Sequence, residues 1–262
     1  MNDRCPVCGS KGGSHPHPLY KICGDCEAIF QYKNITQIDD YYADCPLDYT
    51  FQIGSYRKYI DIIKETIRLD DVSILVDVGA GDGTFLKEFS KQVPLFKLYA
   101  VEDSVIASER LLEREIEVIE VGDLEAYNPK LITSFQVLEH VTDAVQFFQK
   151  MGMKPGDYLV LTSPAVDAIY QKIYGSRWRS LSPSHHVILY GRKALNVLAE
   201  KLGLQVLQYR YCVSGCNSLG DSLVKYLFSV IKWPVKLIIG RREPFPLFHG
   251  KNSFIAILYK SA

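Results

Sequence analysis

A short apolar run that ends in a carboxylate and a burst of glycine sets the strongest limit on how this chain folds. It reads Ile74-Leu75-Val76-Asp77-Val78, then Gly79-Ala80-Gly81-Asp82-Gly83, then Thr84-Phe85-Leu86. The run is rich in branched residues and predicts a buried strand. Glycines spaced G-x-G-x-G let the backbone turn sharply, approach a ligand closely and pass into a helix. Such a strand, turn and helix belong to a doubly wound sheet that binds its ligand beyond the C-terminal ends of the strands.

The same alternation repeats downstream. Leu98–Glu102, Glu117–Glu120, Leu131–Phe135, Tyr158–Thr162, Gln205–Tyr211 and Ser253–Tyr259 read as strands, while 84–92, 104–114, 141–151 and 192–202 read as helices, with another around 51–68. Seven strands therefore share one α/β, Rossmann-like sheet. A chain of 262 residues with 47% hydrophobic and 23% charged residues can bury such a core, and it is neither collagen-like, disordered nor a disulfide scaffold.

The acids narrow what the pocket holds. A pyrophosphate loop is spaced G-x-G-x-x-G, and this one is not. Asp77 sits at the ligand end of the first strand, where a carboxylate repels phosphate and suits an ammonium group. Glu102 and Asp103 end the second strand about twenty residues beyond the glycines, where an acid accepts hydrogen bonds from ribose hydroxyls; Glu102 is the better placed. Asp123-Leu124, after the third strand, is expected beside an adenine amino group. Three acids at successive strand ends favour a cationic nucleoside ligand over three solvated loops.

Two C-x2-C knuckles, Cys5-Pro6-Val7-Cys8 and Cys23-Gly24-Asp25-Cys26, precede the sheet. Their spacing is that of a zinc ribbon, and four thiolates close a tetrahedron with no position left for water, so the site is expected to be structural. His15 and His17 lie between the knuckles and read as loop residues. Cys45, Cys212 and Cys216 are expected to pack. The opening Met-Asn-Asp-Arg-Cys carries no apolar run and predicts a cytoplasmic chain whose cysteines stay reduced. The expected division is a ribbon over residues 1–38 and a catalytic domain over 39–262.

At these residues the chain resembles the class I S-adenosylmethionine-dependent methyltransferases, in the branch of ubiquinone, sugar and natural-product enzymes. Val76-Asp77-Val78-Gly79-Ala80-Gly81-Asp82-Gly83 is similar to that family's first motif, with Ala80 where Cys is frequent. Phe135-Gln136-Val137-Leu138-Glu139-His140-Val141 resembles the motif after strand four. Lys154-Pro155-Gly156-Asp157-Tyr158-Leu159 resembles the turn into strand five, with Asp157 replacing a second Gly, and Ser184-His185-His186-Val187 resembles the approach to strand six. The resemblance implies S-adenosylmethionine as cofactor, held by Asp77, Gly79, Ala80, Gly81, Asp82, Glu102, Asp103, Asp123, Leu124, Gln136 and Val137. It also implies a seventh strand inserted antiparallel between the fifth and sixth.

Transfer from a sulfonium needs alignment and dryness, and an oxygen or carbon acid also needs its proton removed. His140 follows strand four at the expected methyl-transfer face, with Glu139 beside it to polarise the ring or hold a substrate; His186 and His185 are the other candidate bases. The alternative for His140 is a residue that only shapes the pocket. Arg177, Trp178 and Arg179 read as an acceptor-side lid with stacking and fork-like donors, or else as an exposed basic loop. Tyr41, Tyr42 and Tyr49 are candidates to close over the donor.

Formal net charge is zero, but residues 1–164 carry −10 and residues 165–262 carry +10. An apolar, basic insertion over residues 221–250 adds to the asymmetry; within 221–242, Lys225, Ser229, Lys232 and Lys236 fall on one helical face. It is expected to cover the site or a partner, or to meet an anionic membrane and a lipid-linked acceptor. The expected function is O- or C-methylation of a small-molecule or glycan acceptor of negative character. One alternative is a ribosomal RNA base methyltransferase, disfavoured because residues 1–40 carry a net −1 where phosphate-gripping would need positive charge. A non-catalytic cofactor-binding module is the other.

Overall fold

The computed structural model describes residues 3–32, 48–128, 130–182, 184–213, 226–228, 230–234 and 252–261. Two sheets form. The N-terminal part contributes β1 (Gly12–Ser14), β2 (Tyr20–Cys23) and β3 (Ile29–Gln31), an antiparallel meander with a knuckle on either side of β1 and β2. Then come α1 (Ile53–Thr66), β4 (Ile74–Val78), α2 (Thr84–Gln92), β5 (Lys97–Val101), α3 (Val105–Glu113), β6 (Glu117–Val118), β7 (Lys130–Phe135), α4 (Ala144–Lys150) and β8 (Tyr158–Pro164). The chain continues through α5 (Ile169–Tyr174), β9 (Ile188–Leu189), α6 (Arg192–Leu202), β10 (Gln205–Cys212) and β11 (Ser253–Tyr259).

The large sheet has the order β10-β11-β8-β7-β4-β5-β6. β11 pairs antiparallel with both β8 and β10, as the family resemblance implies, and the strands from β8 to β6 are parallel. Parallel strands covered on both faces are nearly continuous in apolar character, and β4, β7 and β8 are buried along almost their whole length, as is the antiparallel β11 between β8 and β10. The strand order reverses between β4 and β7, so a crevice opens beyond their C-terminal ends, the general ligand position in such sheets. Helices begin and end where local chemistry allows. Asp143 accepts from the Gln146 amide at 2.9 Å to start α4, and Gly203 at φ +62° stops α6.

Two features depart from the sequence reading. The small sheet has four strands, because β3 pairs antiparallel with β9, joining Ile29 to Leu189 and Phe30 to Ile188. The knuckle module thus shares a sheet with residues expected in the second domain. The second feature is Asp157, which the sequence shows only as a departure from glycine. Lys130 and Asp157 are both 0% exposed and form an ion pair at 2.8 Å, while Asp157 also accepts the Lys130 and Lys154 amides at 2.9 and 2.8 Å.

Among the described residues no helix is long and apolar enough to cross a membrane. Of the expected insertion, residues 226–228 and 230–234 are helical, with Leu227, Phe228 and Ile231 exposed; Lys225, Ser229 and Lys236 lie outside the described residues, as do Tyr41, Tyr42, Cys45 and Cys216. Cys212 packs in the core against Tyr59.

Candidate active site

The glycine turn after β4 is bent by three positive φ angles, at Gly79 (+77°), Gly81 (+54°) and Gly83 (+73°). A Cβ on Gly79 would lie 2.5 Å from Val137 Cγ2, and one on Gly81 would lie 2.6 Å from Tyr49 Cε2. Glycine here is thus required twice over, by dihedral and by close approach. The first contact ties the turn after β4 to the loop after β7 at the switch point of the sheet. The second lays Tyr49, among the tyrosines read as a closing segment, over the turn.

The expected acids divide by environment. Asp77 is 3% exposed and accepts a hydrogen bond from the Thr133 hydroxyl at 2.6 Å. Burial holds its carboxyl up at about 7; Thr133 opposes the rise and the charge of Glu102 adds to it. Glu102 is half-buried and spans the crevice, accepting from the Gly81 amide at 2.7 Å and from the Ser104 amide at 3.0 Å. Asp103 and Asp123 are exposed, and Leu124 is buried in the core. Asp82 is 1% exposed and committed to the fold. It accepts from the Thr84 amide at 3.0 Å and pairs with Arg114 at 3.3 Å, which holds the start of α2.

Beyond β7 the backbone is strained. Gln136 adopts φ +57°, uncommon for a residue with a Cβ, and is held there by its amide donating to the Thr162 carbonyl at 2.9 Å and its side chain reaching the Thr162 hydroxyl at 3.1 Å. That kink sends the next turn, Leu138–His140, back under the 180s loop. Val187 donates its amide to the Glu139 carbonyl at 2.7 Å, and so Glu139 and His140 meet His185 and His186.

The three imidazoles form one cluster. Ring centroids are 5.0 Å apart for His140 and His186, 5.7 Å for His140 and His185, and 4.6 Å for His185 and His186. His140 Nδ1 donates to the His185 carbonyl at 3.0 Å, and His186 Nδ1 donates to the Ser180 carbonyl at 2.7 Å. A carbonyl only accepts, so both neutral rings carry their proton on Nδ1 and their lone pair on Nε2. Burial holds both rings down at about 4, so they are neutral near pH 7, while burial pushes the Glu139 carboxyl up to about 8. Burial also lowers His185, whose Nδ1 meets the Ser184 hydroxyl at 2.7 Å.

The N-terminal module reaches this cluster. Tyr20 Oη and Gln31 Nε2 both donate to the His186 carbonyl, at 2.8 and 2.7 Å. Trp178, expected on an open lid, is 3% exposed and packs with Tyr20, Ile29, Val166, Leu181 and Leu189. Its indole is therefore part of the joint between the module and the domain, and no open stacking platform; Arg177 and Arg179 on either side are exposed. The joint had no sequence signal beyond the aromatic character of its parts.

The four knuckle cysteines converge, each Sγ within 4.8 Å of the others, with Cys5 to Cys26 at 3.5 Å and Cys8 to Cys23 at 3.3 Å. Tetrahedral bonds of about 2.3 Å to a zinc ion require sulfurs about 3.8 Å apart, so the donor set fits that ion. A groove of about 540 Å³ lined by Lys58, Asp61, Ile62, Tyr209, Arg210 and Tyr211 shares no residue with any of these sites.

Comparison with known proteins agrees with the layout. Among solved structures, coclaurine N-methyltransferase bound to N-methylheliamine and S-adenosylhomocysteine superposes with a TM-score of 0.55 at 13% identity, over 88% of this chain and 83% of that one. A Galdieria sulphuraria protein described as a sarcosine dimethylglycine methyltransferase superposes with a TM-score of 0.50 at 15% identity, over 80% and 84%. These likenesses concern the fold. No curated protein matches the sequence. The family model of a methyltransferase domain matches residues 51–209, more than half of the chain. The chain belongs to that family, the methyltransferase domains, and has the fold of the solved methyltransferases.

Proposed function

We propose that the enzyme methylates an oxygen or carbon acid on a small-molecule or glycan acceptor of negative character, at the face formed by Glu139, His140, His185 and His186. The observation that carries this reading is the joint at the switch point. Val137 against Gly79 puts a turn flanked by Asp77 and Glu102 next to a cluster of neutral imidazoles. Asp77, with no Lys or Arg paired to it among the described residues, suits the ammonium of the cofactor's amino acid, and Glu102 suits the ribose hydroxyls. Asp103 and Asp123 are exposed and Leu124 is buried; these three are assigned to the adenine, and Gln136 and Val137 to the wall of the pocket after β7. Bound there, S-adenosylmethionine supplies an activated methyl group. The residues of the chain align the acceptor, exclude water and, through the histidine cluster, accept the acceptor's proton.

Cys5, Cys8, Cys23 and Cys26 would hold a structural Zn²⁺, whose chemistry is to fix the module that carries Tyr20 and Gln31 to the His186 carbonyl. That use of the module argues for a scaffold and against an RNA grip. Arg177 and Arg179 supply positive charge at the acceptor side. Exposed Leu227, Phe228 and Ile231 support a peripheral membrane contact, which flotation with anionic vesicles tests directly: no co-flotation removes it.

The central test is calorimetric binding of S-adenosylhomocysteine combined with methyl release from S-adenosylmethionine onto a panel of hydroxylated acids and sugars. Binding with turnover is expected, with His140→Ala and His186→Ala losing turnover. Binding with no turnover on any acceptor favours a non-catalytic module, and no binding overturns the cofactor assignment.

A further inference from the structure

Proton acceptance accounts for the imidazoles but leaves Glu139 without a task. Its carboxylate is 1% exposed, and Oε2 has no hydrogen-bond partner. An ionised oxygen in that state is costly unless a cation or donor faces it. Besides the buried Ser163 hydroxyl, what faces the Glu139 carboxyl is a pair of histidines: a carboxylate oxygen of Glu139 and a ring nitrogen each of His140 and His186 lie within 4.8 Å of one another. Each ring also hands its Nδ1 proton to a backbone carbonyl, His185 for one and Ser180 for the other. Carbonyl-held Nδ1–H with the lone pair on Nε2 is the outer-shell arrangement that orients metal-binding histidines.

We infer that Glu139, His140 and His186 form a binding site for a divalent transition-metal cation at the methyl-transfer face. Two imidazoles and one carboxylate on one side of an ion leave its other positions open, and such a set suits Mn²⁺, Fe²⁺, Co²⁺ or Zn²⁺. The inference deepens the proposed function and rests on it. An acceptor hydroxyl that takes an open position is oriented and made more acidic. Its proton then passes to His185, the member of the cluster that the cation does not occupy. The hydroxyl oxygen forms its bond to the methyl carbon as the carbon–sulfur bond breaks, and that electron pair stays on sulfur. The substrate class narrows accordingly, to hydroxyl acceptors with a second oxygen that can chelate, such as hydroxy acids, vicinal diols and catechols. The four thiolates are a separate and softer site, so a hard probe distinguishes the two.

The test uses protein holding one Zn²⁺ per chain, at the four thiolates, titrated with Mn²⁺ and followed by electron paramagnetic resonance and proton nuclear magnetic resonance, with S-adenosylhomocysteine affinity measured on the same samples. One Mn²⁺ per chain is expected, broadening the ring resonances of His140 and His186 in the wild-type protein. Glu139→Gln, which keeps the shape of the side chain, should weaken that binding by at least roughly tenfold. Absence of Mn²⁺ binding, or broadening confined to other residues, overturns the site while retained S-adenosylhomocysteine affinity leaves the methyltransferase reading standing. Loss of S-adenosylhomocysteine binding by unsubstituted protein strikes that reading instead.

Discussion

Asp77 makes cofactor affinity depend on pH with a computable sign. Its carboxyl is buried beside Thr133 and held at about 7, against 3.8 for an unperturbed aspartate. Keeping it ionised above pH 7 costs the ligand-free fold roughly 4 kcal/mol at 1.36 kcal/mol per pKa unit. For a raised acid the sign is the reverse of the usual carboxylate case. The ligand-free protein loses this contribution as pH rises from about 4 to about 7, and a bound ammonium restores it. Binding of S-adenosylhomocysteine, whose cation is a free amino-acid ammonium that stays protonated past pH 8, should therefore reach its full strength only above pH 7. Well below pH 7 each unit should weaken it by nearly tenfold, and from pH 7.4 to 5.4 the loss is about thirtyfold. Titration calorimetry across that range reads the slope directly. In Asp77→Asn the neutral-pH affinity should fall and the acid limb should flatten. A flat wild-type profile, or an acid limb retained in Asp77→Asn, would refute the assignment of Asp77 as the ammonium partner.

Three further outcomes are expected. Asp157→Ala leaves the Lys130 ammonium buried without its carboxylate and strips an acceptor from two amides, so it should lower stability by about 3–5 kcal/mol in urea unfolding, while Lys130→Met with Asp157→Leu should recover most of the loss. Gly79→Ala meets both a positive φ and the Val137 methyl; it should abolish S-adenosylhomocysteine binding, and Val137→Ala in the same chain should recover only the steric part, leaving the dihedral penalty of about 1–2 kcal/mol. Removing zinc with a chelator, or Cys26→Ser, should lower Tm and shift the His186 ring resonances, since Tyr20 and Gln31 fix that residue's carbonyl; unchanged resonances would separate the module from the site.

The sequence exposes the sheet well and the site unevenly, for physical reasons. β4, β11, α2 and α6 are read from periodicity to within a residue, because strands buried on both faces and amphipathic helices repeat their apolar pattern. β6 is shorter than expected, and α4 starts three residues late because the turn Leu138–His140 intervenes. The acids at the strand ends are legible as types at positions. That Asp82 serves the start of α2 is not, since a capping carboxylate and a ligand-binding one look alike in sequence. Trp178 misleads for the same reason: an indole among arginines reads as a lid until its partners, Tyr20 and Leu189, are known. Gln136 gives no local sign of its positive φ, because the strain is imposed by Thr162 on the neighbouring strand. The histidine cluster joins positions 45 and 46 residues apart, and only the short span from Glu139 to Val187 brings them together.

The pairing of β3 with β9 has a consequence in time. Phe30 and Ile188 are hydrogen-bonded neighbours, yet 158 residues separate them. On a ribosome adding about 5–20 residues per second, β3 waits roughly 8–30 s for its fourth strand. During that interval the outer edge of β3 is an unpaired template, open to wrong partners. The knuckle cysteines span only residues 5–26, so a metal captured early would hold the meander in register through the wait. The ion's value to the cell would then lie in synthesis as well as in the finished enzyme. Shortage of metal would show first as a lower yield of newly made chains, before any loss from those already assembled.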